Sequence, residues 1–175
     1  MALKTMSLSE GSGQYAAGWH ELEISKAEYT KWKDSNVIDI WFKDYPEGFK
    51  VRVFPAYNKE TKEEFSIARL FKVANAGIVS VLKDASGKHP VIQYDDEASG
   101  LVSKKVNVFC YKRKGSDGKE YSNPFNRFAP IAQKGEHLSY SVDDVSFYKK
   151  KVEEACKKYQ EKKNPTTKSE EEPPW

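Results

Sequence analysis

The sequence predicts a mainly β chain: a five-stranded OB-fold barrel with a helix between strands three and four, then a C-terminal helix and a disordered acidic tail. Three observations predict it. Short runs with an apolar residue at every second position fill residues 17–54 and return near residue 105, the signature of half-buried strands. The period changes to three and four residues over 62–76 and 142–163, which marks two helices. The resulting order of three strands, a helix and two strands is that of the OB barrel, whose second and third strands commonly form a binding face.

Residues 1–14 are polar and small, with no periodic apolar face, and read as a flexible arm. In the first strand, Ala17 to Tyr29, the residues His20, Leu22 and Ile24 alternate with Trp19, Glu21 and Glu23. Lys33 to Asn36 supplies a turn. The second strand, Val37 to Tyr45, places Ile38, Ile40 and Phe42 on one face and Asp39, Trp41 and Lys43 on the other. After the turn Pro46-Glu47-Gly48, the third strand, Phe49 to Phe54, directs Val51 and Val53 inward and Lys50, Arg52 and Phe54 outward. Ile67, Leu70, Phe71, Ala74 and Ile78 then fall at helical spacing, with Gly77 placed to end the helix. Residues 79–103 carry no clear period and are expected to form a surface excursion.

Strands four and five form a hairpin over 104–127. Val106, Val108 and Cys110 share one face, and Phe109, Tyr111 and Arg113 share the other. The turn is Gly115-Ser116-Asp117-Gly118, and Lys119 to Arg127 is the return arm. Basic residues attract a phosphate backbone, and aromatic rings stack on bases for about 1–3 kcal/mol each with little regard to sequence. The second and third strands carry the same mixture, and in a closed barrel both sets would line one groove. The candidate nucleic-acid-contacting residues are therefore Trp41, Lys43, Lys50, Arg52, Phe54, Phe109, Tyr111, Lys112, Arg113 and Arg127. The structural alternative is that these rings are core or cross-strand partners.

The second helix starts at Ser141-Val142-Asp143-Asp144, an N-cap with an acidic residue three positions on. Val145, Tyr148, Val152, Cys156 and Tyr159 make a narrow apolar stripe among lysines, which is expected to pack on the domain's own sheet, with homodimerisation the lesser reading. Asn164-Pro165 stops the helix, and the remainder is too polar and proline-rich to fold. The domain plan is an arm (1–14), a barrel (15–140), a helix (141–163) and a tail (164–175).

Charged residues make up 31% of the 175, yet the formal net charge is only +3, so the distribution of charge carries the information. Eight Lys or Arg stand between Leu101 and Gly135 against Asp117 and Glu120, whereas Glu170, Glu171 and Glu172 dominate the tail. A basic body with an acidic end suits a polyanion ligand. Cys110 and Cys156 are the two cysteines, and without a CxxC pair they indicate neither a disulfide framework nor zinc. No cofactor is implied. The absence of a signal-peptide pattern and of a long apolar span predicts a cytoplasmic protein without membrane contact. His20, His89 and His137 form no catalytic pattern, and no phosphate-binding GxxxxGK[ST] loop is present. Asp44 with Glu60-Thr61-Lys62 is a weak match to metal-dependent nucleases, inside a polar run that reads as loop. The expectation is a non-enzymatic binding protein, with a protein-interaction barrel as the other binding reading.

Two segments carry a resemblance to a family. The ending Glu170-Glu171-Glu172-Pro173-Pro174-Trp175 and the run from Gly18-Trp19-His20-Glu21 through Trp41-Phe42 to Val51-Arg52-Val53 resemble bacteriophage single-stranded DNA-binding proteins with an OB fold and an acidic C-terminal tail. The long helix before the tail departs from the bacterial members. The resemblance implies single-stranded DNA as the ligand and a role in replication, recombination or repair. It also implies a tip in which Trp175 enters an apolar pocket of a partner enzyme while Glu170 to Glu172 meet basic residues around it.

Overall fold

The computed structural model describes residues 16–83 and 90–163. The alternating segments form β1 (Gly18–Trp32), β2 (Ser35–Phe42) and β3 (Lys50–Val53), an antiparallel meander. Ile38, Ile40, Phe42, Val51 and Val53 are all buried, as their alternation requires. The turn between β1 and β2 is tighter than the sequence predicts: it is Lys33-Asp34 alone, with Lys33 in the left-handed region at φ 56°.

β1 is 15 residues long and serves two partners. Its first half pairs with β6 (Lys105–Lys114), from Gly18 opposite Cys110 to Glu23 opposite Lys105. Its second half pairs with β2, from Ile24 opposite Phe42 to Trp32 opposite Ser35. Ser25 is the extra residue of a bulge, because Ile24 and Lys26 face consecutive positions, Phe42 and Trp41, of β2. The bulge reverses the alternation. Before it Leu22 and Ile24 point inward, and after it Ala27 and Tyr29 do, which turns Lys26 and Glu28 outward.

β6 continues through a turn into β7 (Glu120–Pro124), giving one antiparallel sheet in the order β3-β2-β1-β6-β7. The expected closed barrel is not formed. After Pro124 the chain stays on β6: Phe125 N–H donates to Phe109 O at 2.8 Å, Asn107 and Ala129 exchange backbone hydrogen bonds, and Asn107 Nδ2 donates to Pro130 O at 3.0 Å. Among the described residues, β3 therefore has no second strand beside it. The return arm likewise ends at Pro124 rather than Arg127.

The seam left open is filled by side chains. Helix α1 (Ser66–Ala74) buries Ile67, Leu70, Phe71 and Val73 in the same core, and Phe128 packs on Phe42 with ring centroids 5.9 Å apart. α1 is shorter than its apolar period because both ends are fixed locally. Glu64 accepts from the N–H groups of Ser66, Ile67 and Ala68 at 2.8–3.0 Å, satisfying donors that a helix start leaves orphaned. Asn75, at φ 54°, is the left-handed residue that ends it, and Ile78 passes into the next strand. Gly77 has φ 64°, and a Cβ there would lie 2.3 Å from Asp95 O, so this position excludes a side chain.

Residues 79–103 are more ordered than an excursion. β4 (Ile78–Lys83) and β5 (Pro90–Tyr94) form a separate two-stranded ribbon, and the short 3-10 turn Ala98–Leu101 anchors the return through fully buried Leu101.

Helix α2 (Val142–Lys163) opens on a reciprocal cap: Asp144 N–H donates to Ser141 Oγ at 3.1 Å, and Ser141 N–H donates to Asp144 Oδ2 at 2.8 Å. Its stripe packs on the domain's own sheet, burying Val152 and Cys156 against Phe125 and Ala129, with Trp19, Phe109 and Tyr111 beside them. Among the described residues, no helix is long and apolar enough to cross a membrane.

Candidate nucleic-acid interface

The sheet has two outer regions, and α2 covers one of them. Trp19, Phe109 and Tyr111 lie on the outer side of the β1 first half and β6. Trp19 Nε1 donates to Glu153 Oε2 of α2 at 2.7 Å, and its ring lies 5.0 Å from that of Phe109. Tyr111 meets Phe125 and the α2 residue Tyr159, each at 6.1 Å between centroids, and burial pushes its phenol up to about 12. Phe109 and Tyr111, expected to face DNA, thus hold a helix. The face that the sequence offers to bases and the stripe that it offers to the sheet are partners of each other.

The other outer region, on the second half of β1 with β2 and β3, carries no helix among the described residues. The reversal at Ser25 sets its composition. Lys26, Trp41 and Lys50 stand in one row across the three strands, and Glu28, Asp39 and Arg52 in the next. Lys26 Nζ lies 4.6 Å and Lys50 Nζ 5.4 Å from the Trp41 ring centroid, within the range of a cation–π contact worth about 0.5–1 kcal/mol at exposed sites. The Trp41 indole N–H is buried without a hydrogen-bond partner among the described residues, so packing and the two cations hold the ring.

Asp39 is 3% exposed and lies at the centre of this face. Arg52 donates to it through Nε and Nη2, and Lys50 Nζ stands 3.5 Å away. The Arg52 hydrogen bonds hold the Asp39 carboxyl below its ordinary range, against the opposing effect of burial, with the Lys50 charge adding to the lowering. Beyond Arg52 the exposed rings of Trp32 and Phe54 meet edge to face at 5.4 Å, and Lys33 Nζ lies 4.5 Å from the Trp32 centroid. Three rings and four cations therefore share one uncovered face.

Trp41, Lys50, Arg52 and Phe54 are brought together as the sequence predicts. Lys26, Trp32 and Lys33 join them unpredicted. The Ser25 bulge hides Lys26, and Trp32 and Lys33 fall in what reads as the end of a strand and its turn.

The remaining candidates lie elsewhere. Lys43 is exposed past the end of β2, its N–H bound to Glu23 O at 2.8 Å. Lys112 and Arg113 lie beyond the start of β1, at the far end from Trp32, and with Lys114, Tyr159 and Gln160 line a concavity of about 670 Å³. An open sheet keeps the two basic groups at opposite ends of β1 instead of in the single groove of a closed barrel. Arg127 is half-buried at the β3 seam beside Arg69. The tip residues Glu170, Glu171, Glu172, Pro173, Pro174 and Trp175, and also His89, lie outside the described residues.

Asp44 is exposed, and Glu60 to Lys62 form a turn in which Asn58 Oδ1 accepts from the N–H groups of Glu60 and Thr61. His20 Nε2 is 2.7 Å from Ala16 O, and His137 is paired with Glu136 at 3.8 Å. Among the described residues, no group of three or more His, Cys, Asp or Glu side chains is placed to hold a metal ion.

No protein-family model matches this chain, and no curated protein matches it, so its own geometry carries the functional reading.

Proposed function

We propose that the chain binds single-stranded DNA with little sequence preference, across the uncovered outer face of β1, β2 and β3. One observation carries the reading: Trp41, Trp32 and Phe54 are interleaved with Lys26, Lys50, Arg52 and Lys33 on a single outer sheet surface, on which Trp41 and Arg52 are half-buried and the other five exposed. Stackable rings spaced by cations are what a sequence-tolerant single-strand site requires, since every base has a π face and every nucleotide a phosphate. On this reading the curled sheet is an OB-type barrel left open at β3. Its long, bulged first strand shared by two partners and its helix filling the open side support that assignment. The resemblance adds the expected setting, phage DNA replication or recombination, and gives the Glu170 to Trp175 tip the recruitment of partner enzymes.

The test is fluorescence anisotropy with a labelled thymidine oligomer and a matching duplex over a salt series. The expected result is preference for the single strand and a log–log salt slope near −0.7 per phosphate neutralised. Weak, salt-insensitive binding to both would overturn the proposal and assign the aromatic face to a polypeptide.

A further inference from the structure

We propose that Arg69 and Arg127, which line one notch at the open seam beside β3, form a site for one phosphate-type oxyanion. Arg69 projects from the first turn of α1 and Arg127 from the segment after β7. Both line a notch whose apolar walls include Val53, Leu70, Val73 and Phe128. The cavity is only about 10 Å³, room for about one water molecule, so no base or sugar enters it and an oxyanion would sit at its mouth, on the two guanidiniums. It offers charge alone.

Two half-buried guanidiniums in one notch are costly unless something negative meets them. Burial lowers the proton affinity of both, and the Arg127 charge lowers that of Arg69 further. Among the described residues, neither takes part in an ion pair. Glu64 is the nearby carboxylate, but its two oxygens accept from four backbone N–H groups, those of Ala56, Ser66, Ile67 and Ala68. Its charge therefore helps Arg69 only from a distance. Arg69 otherwise touches the Phe65 ring, at 5.7 Å from the centroid.

A phosphate fits the vacancy in charge. It presents enough oxygens for two planar forks at once, the geometry at which arginine surpasses lysine. Position favours a phosphodiester of a bound strand as its source. Val53 lines the notch and Phe54, the next residue, is the last ring of the outer face, so a strand leaving that face over the β3 edge arrives at this pair. That arm rests on the function proposed above; the site for an oxyanion does not.

The experiment has two arms. In the first, the melting midpoint of the full chain is followed with inorganic phosphate, ionic strength matched by chloride. A rise of about 2–4 °C at roughly 20 mM phosphate is expected for the wild type and none for R69Q/R127Q. In the second, the salt slope for the thymidine oligomer is expected to become shallower by about 0.7 in the double variant. A phosphate response with an unchanged slope assigns the notch to free phosphate, and a shallower slope assigns it to the strand. No phosphate response together with an unchanged slope overturns the proposal, while oligomer binding itself would leave the outer face standing. If the wild type binds no oligomer, the DNA reading fails and the phosphate arm alone decides the notch. Should the double variant not fold, the arginine Nε–Hε resonances of the wild type decide: two must shift with added phosphate, and none shifting sinks the site.

Discussion

Arg52 grips Asp39 with two parallel hydrogen bonds across β2 and β3, Nε to Oδ1 at 2.8 Å and Nη2 to Oδ2 at 3.0 Å, in the middle of the face proposed to carry DNA. The carboxylate orients Arg52 and Lys50 and at the same time cancels part of their charge. Stability and polyanion affinity thus pull in opposite directions at this residue.

Asp39→Asn is expected to destabilise the fold by about 1–3 kcal/mol, since a nearly buried charge-assisted pair is lost. It should also tighten oligomer binding and steepen its salt slope. The folded carboxyl is held below its unfolded value, so its contribution to stability is complete above roughly pH 4 and disappears as pH falls through the folded value. Urea melts from pH 7 to pH 2 should show this acid loss in the wild type and a smaller one in Asp39→Asn.

Trp41→Ala and Phe109→Ala should separate binding from folding. Removing Trp41 takes away one stacking ring and is expected to weaken oligomer binding by about 1–3 kcal/mol, roughly 5- to 150-fold. Phe109 instead supports Trp19 and α2, so its truncation should cost roughly 2–4 kcal/mol of stability with little specific effect on affinity. Anisotropy and thermal melts on both variants check the pair; a Phe109→Ala protein that folds normally but loses DNA would reverse the assignment.

Glu64→Ala removes the cap of α1, and a loss of about 1–2 kcal/mol is expected. Amide exchange should quicken first at Ser66, Ile67 and Ala68.

Burial pushes the thiols of Cys110 and Cys156 up to about 11. Native protein at pH 8 should therefore resist iodoacetamide and become labelled only on unfolding. Keeping both thiols neutral suits the folded state, and stability is expected to fall as pH rises from the ordinary thiol value of 9.0 to about 11, where the unfolded chain ionises first. Rapid labelling of Cys156 in native protein would show that α2 leaves the sheet readily.

Local period made much of the fold legible. The inward residues of β2 and β3, the outward set of Trp41, Lys50, Arg52 and Phe54, and the Ser141 cap and docking stripe of α2 all follow from spacing. What spacing does not carry is who covers whom. Phe109 and Tyr111 look like a binding face until α2 is laid on them. The Ser25 bulge is one inserted residue with no special chemistry, yet it moves Lys26 and Trp32 onto the outer face. Closure of the barrel depends on where residues 125–130 pair, and the Pro124 ending gives no sign that they stay on β6. The β4–β5 ribbon is not legible in the sequence because Val79, Val81, Leu82 and Val91 are exposed, which blurs the alternation that marks a half-buried strand.

The division of β1 between two partners also sets an order of assembly. Its second half closes a hairpin across a two-residue turn, whereas Gly18 must find Cys110 across some ninety residues of chain. Loop-closure entropy favours the near pairing, so the β1–β2–β3 meander is expected to form first and β6 with α2 to arrive later. Pulse-labelled amide exchange during refolding should protect Ala27 to Thr30 before Trp19 to Leu22, on one and the same strand. The surface proposed to carry DNA would then be the earliest part of the molecule to take shape.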